Sequence, residues 1–525
     1  MTIERLLFRN AVIHTLDRAN PTAEALVAEN GIITHVGDLP AEKAGFTHID
    51  LGGCHVYPGF IDSHVHFMEF AKRQIEVDLE GVSSLTEALE LVRAASRQRG
   101  PGEWILGGGW NKNRWGAGDF PTRWMLDSVA PDNPVALFSK DGHTLWANSL
   151  AMKVAGVTKD TPIPLGGDVE REKETLELTG IFKETASKLI TDKIQASSED
   201  LTRVLEKGIA AAHSRGVVGI HNCEGEQTLR ALQSLRIKRG ELGLRVIAHI
   251  PVEALESAIS LGISSGFGDG FLKIGSVKVF ADGSLGSQTA DMLEPYEGRG
   301  TYRGIAVTAA DDLERIIKRA ARAGFSVAVH AIGDRANRNV LNAFASARRE
   351  TGKALRHRIE HAQLVHPRDI PRFGELEIIA SVQPTHCPSD REIADRHWGA
   401  RSRYAYAFKS LLRAGARLTL GSDAPVEALD PVLTIYSAVN RKLPDQDEPW
   451  YPEERLTQAE AVWAHTFGPV YASGDEHLAG TLAVGKRADM TVLTQDILTC
   501  PSEEILDCTV YMTVVDGKIV YSREE

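Results

Sequence analysis

Through the middle of this chain, short apolar runs rich in β-branched residues alternate with helical stretches, and that rhythm limits the folds open to it. The runs are Val56–Ile61, Val217–Ile220, Leu244–Ile250, Phe271–Phe280, Ser326–Val329, Arg358–His361, Ile378–Val382 and Arg417–Leu420. Between them, Leu201–Ser214, Ala309–Ala323, Ala336–Thr351 and Tyr406–Ala414 carry apolar residues at three- and four-residue spacing. Runs this apolar suit parallel strands buried on both faces. Eight of them alternating with helices is the number a (β/α)8, TIM-like barrel needs. A doubly wound open sheet has the same alternation, and counting strands does not separate the two. With 525 residues the chain can bury a core of either size.

The two ends read differently. Leu6–Ile13 and Leu26–Val36 show partial strand alternation, the second broken by a hairpin signal at Asn30-Gly31. Near the other end Asp489–Leu493, Thr509–Val515 and Lys518–Tyr521 look like strands, the last two joined by Asp516-Gly517. Neither end alone buries its apolar face, so both are expected to build one small β-sandwich. The expected domains are residues 1–56 and 471–525 for the sandwich and 57–470 for the barrel. About 101–187, rich in Gly, Trp, Asn and Pro, is expected as an insertion over the barrel mouth.

Charge narrows the partners. With 59 basic and 71 acidic residues the net charge is −12, and no basic block is present. Nucleic acid and anionic membrane surfaces are therefore not expected as partners; a small-molecule substrate is. No apolar stretch approaches a membrane span of about 20 residues. Residues 1–12 lack the apolar core of a signal peptide. Five scattered cysteines without a C-x-x-C pair fit a reducing compartment, so a cytoplasmic location is expected. Assembly as a homo-oligomer stays open.

The chemistry sits at the strand ends. His64 and His66 follow the first run, two residues apart, so both imidazoles project to one side. Lys278 lies inside the fourth run. His330 ends the fifth, His361 ends the sixth, and Asp423 follows the eighth. Any one of these is more often a satisfied core residue, a snorkelling lysine or a turn than a ligand. Together they gather at C-terminal strand ends, where barrel active sites are built. Trp110, Asn111 and His143 in the insertion, and Gln383 and His386 after the seventh run, are candidate substrate contacts. Asp334 is a candidate for orienting a ligand.

The string Pro58-Gly59-Phe60-Ile61-Asp62-Ser63-His64-Val65-His66 resembles the opening signature of the amidohydrolase superfamily. Val277–Ser287, His330–Ala336, Arg358–Gln363 and Leu420–Val426 are similar to the amidohydrolase-3 branch, which contains N-substituted formamide deformylases. Leu482–Asp489 looks like the superfamily's return into its β domain. The resemblance implies that His64 and His66 hold a divalent metal with Asp423 as a further ligand. It implies that His330 and His361 hold a second ion or help hold the only one. Lys278 stands where many members carry a carboxylated lysine; Lys273 is the competing position. Histidine and carboxylate ligands suit zinc, with manganese, iron or nickel as alternatives.

The expected activity is metal-assisted hydrolysis of a non-peptide C–N bond in a small molecule, formamides above all, with Asp423 as the catalytic proton carrier. A lactonase or phosphotriesterase on the same site is a second reading. A non-catalytic binding protein on a retired hydrolase fold is the third, disfavoured because every ligand is present.

Overall fold

The computed structural model describes residues 5–38, 45–112, 114–115, 120–140, 143–194 and 198–523. Parts of the inserted segment, at 113, 116–119 and 141–142, lie outside the described residues.

The apolar runs form one eight-stranded parallel sheet. We number its strands β1 (Phe60–Val65), β2 (Val217–Asn222), β3 (Arg245–Pro251), β4 (Leu272–Phe280), β5 (Val327–Ala331), β6 (Arg358–His361), β7 (Ile379–Val382) and β8 (Arg417–Leu420). They pair in chain order from β1 to β8. The edge between β8 and β1 closes just beyond β8, where Asp423 N–H donates to His64 O at 2.8 Å and His66 N–H to Ala424 O at 2.8 Å. The fold is therefore a (β/α)8 barrel, and the open-sheet alternative falls. Outer helices such as Ala310–Arg322 and Asp334–Thr351 bury one apolar stripe each, through Leu313 and Ile317 or Val340, Leu341 and Phe344.

One boundary differs from the sequence reading. The run Val56–Ile61 is not a single strand. His55–Pro58 belongs to the terminal domain, and the barrel strand starts at Phe60. At Gly59 between them, a Cβ would stand 2.4 Å from the Val218 side chain, so only glycine fits.

The termini build a β-sandwich. A four-stranded sheet (Ile32–Gly37, Ala25–Glu29, Arg5–Arg9, Thr47–Asp50) faces a six-stranded one made from both chain ends. They share a core of Leu6, Phe8, Leu26, Ile33, Val56, Met490, Val492 and Val514. Asn30-Gly31 and Asp516-Gly517 all have positive φ, between 49° and 82°, as two-residue hairpins of the I′ type require. A buried Arg245–Asp489 ion pair, at 2.6 and 2.9 Å, ties β3 to the C-terminal segment.

Residues Ala71–Lys207 form a second compact unit. Its six-stranded mixed sheet includes the glycine-rich Ile105–Trp110 as a strand. A Cβ at Gly107 would stand 2.1 Å from Val77 O, and the glycines permit that close strand approach. No described helix is long and apolar enough to cross a membrane.

Barrel closure leaves one tight test. A Cβ on Gly421 would lie 2.5 Å from His64 N. Gly421→Ala is expected to lower stability by about 1–3 kcal/mol through overpacking, read as an earlier urea midpoint with an unchanged slope.

Candidate metal centre

Four strand ends converge. Ligand atoms of His64 (β1), His361 (β6) and Asp423 (after β8) all lie within 4.8 Å of one another, and all three residues are buried. His64 Nε2 and His66 Nε2 each lie 3.4 Å from Asp423 Oδ1. The His330 ring centroid is 4.6 Å from that of His361. His386, at the start of the helix after β7, stacks 6.1 Å from His361 and brings Nε2 to 3.9 Å from Asp423 Oδ2.

Backbone geometry makes this convergence. In a regular β6, Glu360 and His361 would face opposite sides of the sheet. His361 and Ala362 instead have φ of 71° and 43°, and Asp423 has 59°. Left-handed conformations in non-glycine residues cost on the order of 1–3 kcal/mol each and cluster at functional sites. Asp62 braces the closure beneath them, accepting from His64 N–H at 3.0 Å and from Ser422 N–H at 3.0 Å.

The electrostatics fit a donor set for a cation. Burial, then the Lys278 ammonium, hold His64 and His330 below the ordinary histidine value, His330 at about 4. Burial and neighbouring His330 hold His361 well below it. Burial alone would raise the Asp423 carboxyl, but the adjacent His64, His66, His361 and His386 outweigh it and keep Asp423 well below the usual range. Neutral imidazoles beside an ionised carboxylate are ligands for a borderline divalent metal. Moreover, buried His361 Nδ1 and His386 Nε2 have no hydrogen-bond partner among the described residues. Buried polar atoms rarely stay unsatisfied without a reason, and a cation is one. The residues fit a metal.

Lys278 is buried on β4, has no ion pair or hydrogen bond among the described residues, and lies 5.2 Å from the Phe280 ring centroid. Lys273 is committed elsewhere, to Asp475 at 2.6 Å.

Not every candidate joins the cluster. Trp110 is packed in the core of the second unit with Trp115, Phe120 and Trp146, its indole N–H donated to Leu137 O at 2.8 Å. Its side chain is therefore a packing element rather than an accessible ligand contact. His143 is exposed in the same unit and pairs with Glu184 at 3.1 Å. Gln383 is buried and donates to Ser381 O at 3.3 Å. Asp334 accepts from Leu293 N–H at 2.7 Å. The sequence reading passed over Glu360, Arg358 and Asp62. The signal was visible as Arg358-x-Glu360, two opposite charges on one face of a buried strand.

Compared with known proteins, residues 47–521 match the amidohydrolase family. Protein LONG AFTER FAR-RED 3 of Arabidopsis thaliana is 35% identical over 98% of this chain and 91% of its own length. N-substituted formamide deformylase of Arthrobacter pascens is 28% identical over 99% of this chain and 98% of its own. An uncharacterised metal-dependent hydrolase of Pyrococcus furiosus superposes with a TM-score of 0.76 at 32% identity, covering 94% of this chain and 100% of the other.

Four buried histidines, His213, His330, His357 and His465, have values near 4 because burial disfavours the charged form. The unfolded chain binds their protons first, so stability falls as pH drops from about 6.5 toward 4. Each is expected to cost about 2 kcal/mol between pH 7 and pH 5. Urea midpoints at the two pH values test this, and His357→Gln should shrink the difference.

Proposed function

This chain belongs to the amidohydrolase family of metal-dependent hydrolases, and from that premise we propose that it cleaves a non-peptide C–N bond in a small molecule, N-substituted formamides being the first candidates. The observation that carries the reading is the convergence of His64, His361 and Asp423, with His66 beside the carboxylate. The formamide refinement is supported by the likeness to the Arthrobacter pascens deformylase over nearly the whole chain.

In this reading His64, His66, His361 and Asp423 hold a divalent cation, for which zinc suits the donors. His330 and Lys278 hold a second ion if one binds, Lys278 as its carbamate. A carbamate would also replace a buried ammonium that makes no ion pair among the described residues, which is otherwise costly. When bound, such an ion supplies Lewis acidity, acidifying water and polarising a carbonyl oxygen. Asp423 accepts the proton of the attacking water and delivers it to the departing amine nitrogen. Because its neighbours hold it ionised, it starts as a base. His386 stands close enough to Asp423 to meet the substrate on that side. Five free cysteines accord with a reducing, cytoplasmic setting.

Asp423→Asn is expected to fold, to keep most of its metal and to lose turnover by about 10²–10⁴-fold. Metal content by plasma spectrometry and a screen of formamides, other amides and lactones check the assignment. Wild-type rates in the variant would remove Asp423 from its role. A wild-type protein that binds no metal would remove the reading altogether.

A further inference from the structure

We infer that Glu360 is a positioning residue, locking His64 in the tautomer that carries its proton on Nδ1 and thereby aiming Nε2 at the donor cluster. The inference rests on the proposed metal centre. It starts from a contact made wholly inside the barrel: His64 Nδ1 donates to Glu360 Oε2 at 2.6 Å, with Glu360 fully buried and His64 nearly so. The opposite nitrogen of His64, Nε2, is the one that faces Asp423 Oδ1. A neutral imidazole has one N–H and one lone pair, so whichever nitrogen is fixed as donor leaves the other free to ligate.

Glu360 can act only as acceptor. Arg358 donates to both oxygens, Nε to Oε1 at 2.5 Å and Nη2 to Oε2 at 3.0 Å. The same guanidinium donates to Ser63 O at 2.6 Å, Ser381 Oγ at 2.5 Å and His221 Nδ1 at 2.8 Å. Those partners lie on β1, β7 and β2, so the carboxylate cannot swing away from His64 without breaking contacts across the barrel. A carboxylate held behind a ligating histidine fixes ring orientation and tautomer, and its loss typically weakens metal binding 10- to 100-fold.

Glu360→Gln keeps the shape and changes the logic. Its amide must point its oxygen at either Arg358 or His64. The preference of the guanidinium for an acceptor turns the NH2 toward His64, and His64 then moves its proton to Nε2, the nitrogen needed for the metal.

The test uses the full chain and zinc chloride. Zinc affinity is measured by chelator competition in wild type, Glu360→Gln and Ser381→Ala. The last removes an Arg358 contact but leaves the Glu360–His64 bond. We expect a 10- to 100-fold loss in Glu360→Gln and less than a twofold change in Ser381→Ala. In metal-free protein, nitrogen-15 imidazole spectra, assigned with His64→Gln, should show His64 as the Nδ1–H form in wild type and shifted toward Nε2–H in Glu360→Gln. If Glu360→Gln does not fold, Glu360→Asp retains the charge beside Arg358 and withdraws the contact to His64, with the same expectation. Equal losses in Ser381→Ala, or an unchanged tautomer in the Glu360 variant, would overturn the inference. Absence of zinc binding in wild type would instead overturn the metal reading, and the tautomer measurement would still decide the positioning.

Discussion

Near the axis of the barrel an ion pair, Arg358 with Glu360, is sealed from solvent on a single four-residue strand. Burying two charges is costly unless their geometry is close and the remaining donors and acceptors are satisfied. Here they are. The guanidinium fork reaches a backbone carbonyl on β1, a hydroxyl on β7 and an imidazole on β2, while the carboxylate receives His64. One side chain thus couples four of the eight strands, and one of them, β1, carries His64 of the candidate centre, with His66 just beyond its end. Removing either charge would strand the other in a low-dielectric interior, a loss of about 3–5 kcal/mol.

Around this interior pair the structure places its polar groups by height in the barrel. Below, Lys273 is spent on Asp475 and Arg245 on Asp489, holding the barrel to the returning C-terminal segment. Above, the imidazoles are kept neutral by burial and Asp423 is kept ionised by its neighbours. Paired Lys, Arg and Asp side chains therefore hold one end together, while histidines and a carboxylate gather at the other.

Much of the fold was legible in sequence. Most strand runs needed only periodicity and β-branched composition, because parallel barrel strands are mostly apolar on both faces and stand out from amphipathic helices; Arg358–His361, with three polar residues of four, is the exception. The Asn30-Gly31 and Asp516-Gly517 hairpins were equally plain, since few dipeptides tolerate two positive φ values. The split at Gly59 was not. Strand-like residues continue through it, and the neighbour that demands glycine there, Val218, is distant in sequence. Gly107 likewise gains its meaning only from the fold, where it permits a close approach to the strand Val77–Asp78.

The candidate groups were legible in the sequence alone: His64, His66, Lys278, His330, His361 and Asp423 each stand at the end of, or inside, a strand run. Their convergence was decided by tertiary structure. Alternation along β6 would send Glu360 and His361 to opposite sides, and only the left-handed turn at His361 and Ala362 brings that ring back to the cluster. Asp423 reaches it through a similar turn, held where β8 meets β1. Such conformations are unfavourable locally, so no local pattern encodes them. They persist because the closed barrel and its buried ion pair leave the chain no better place to go.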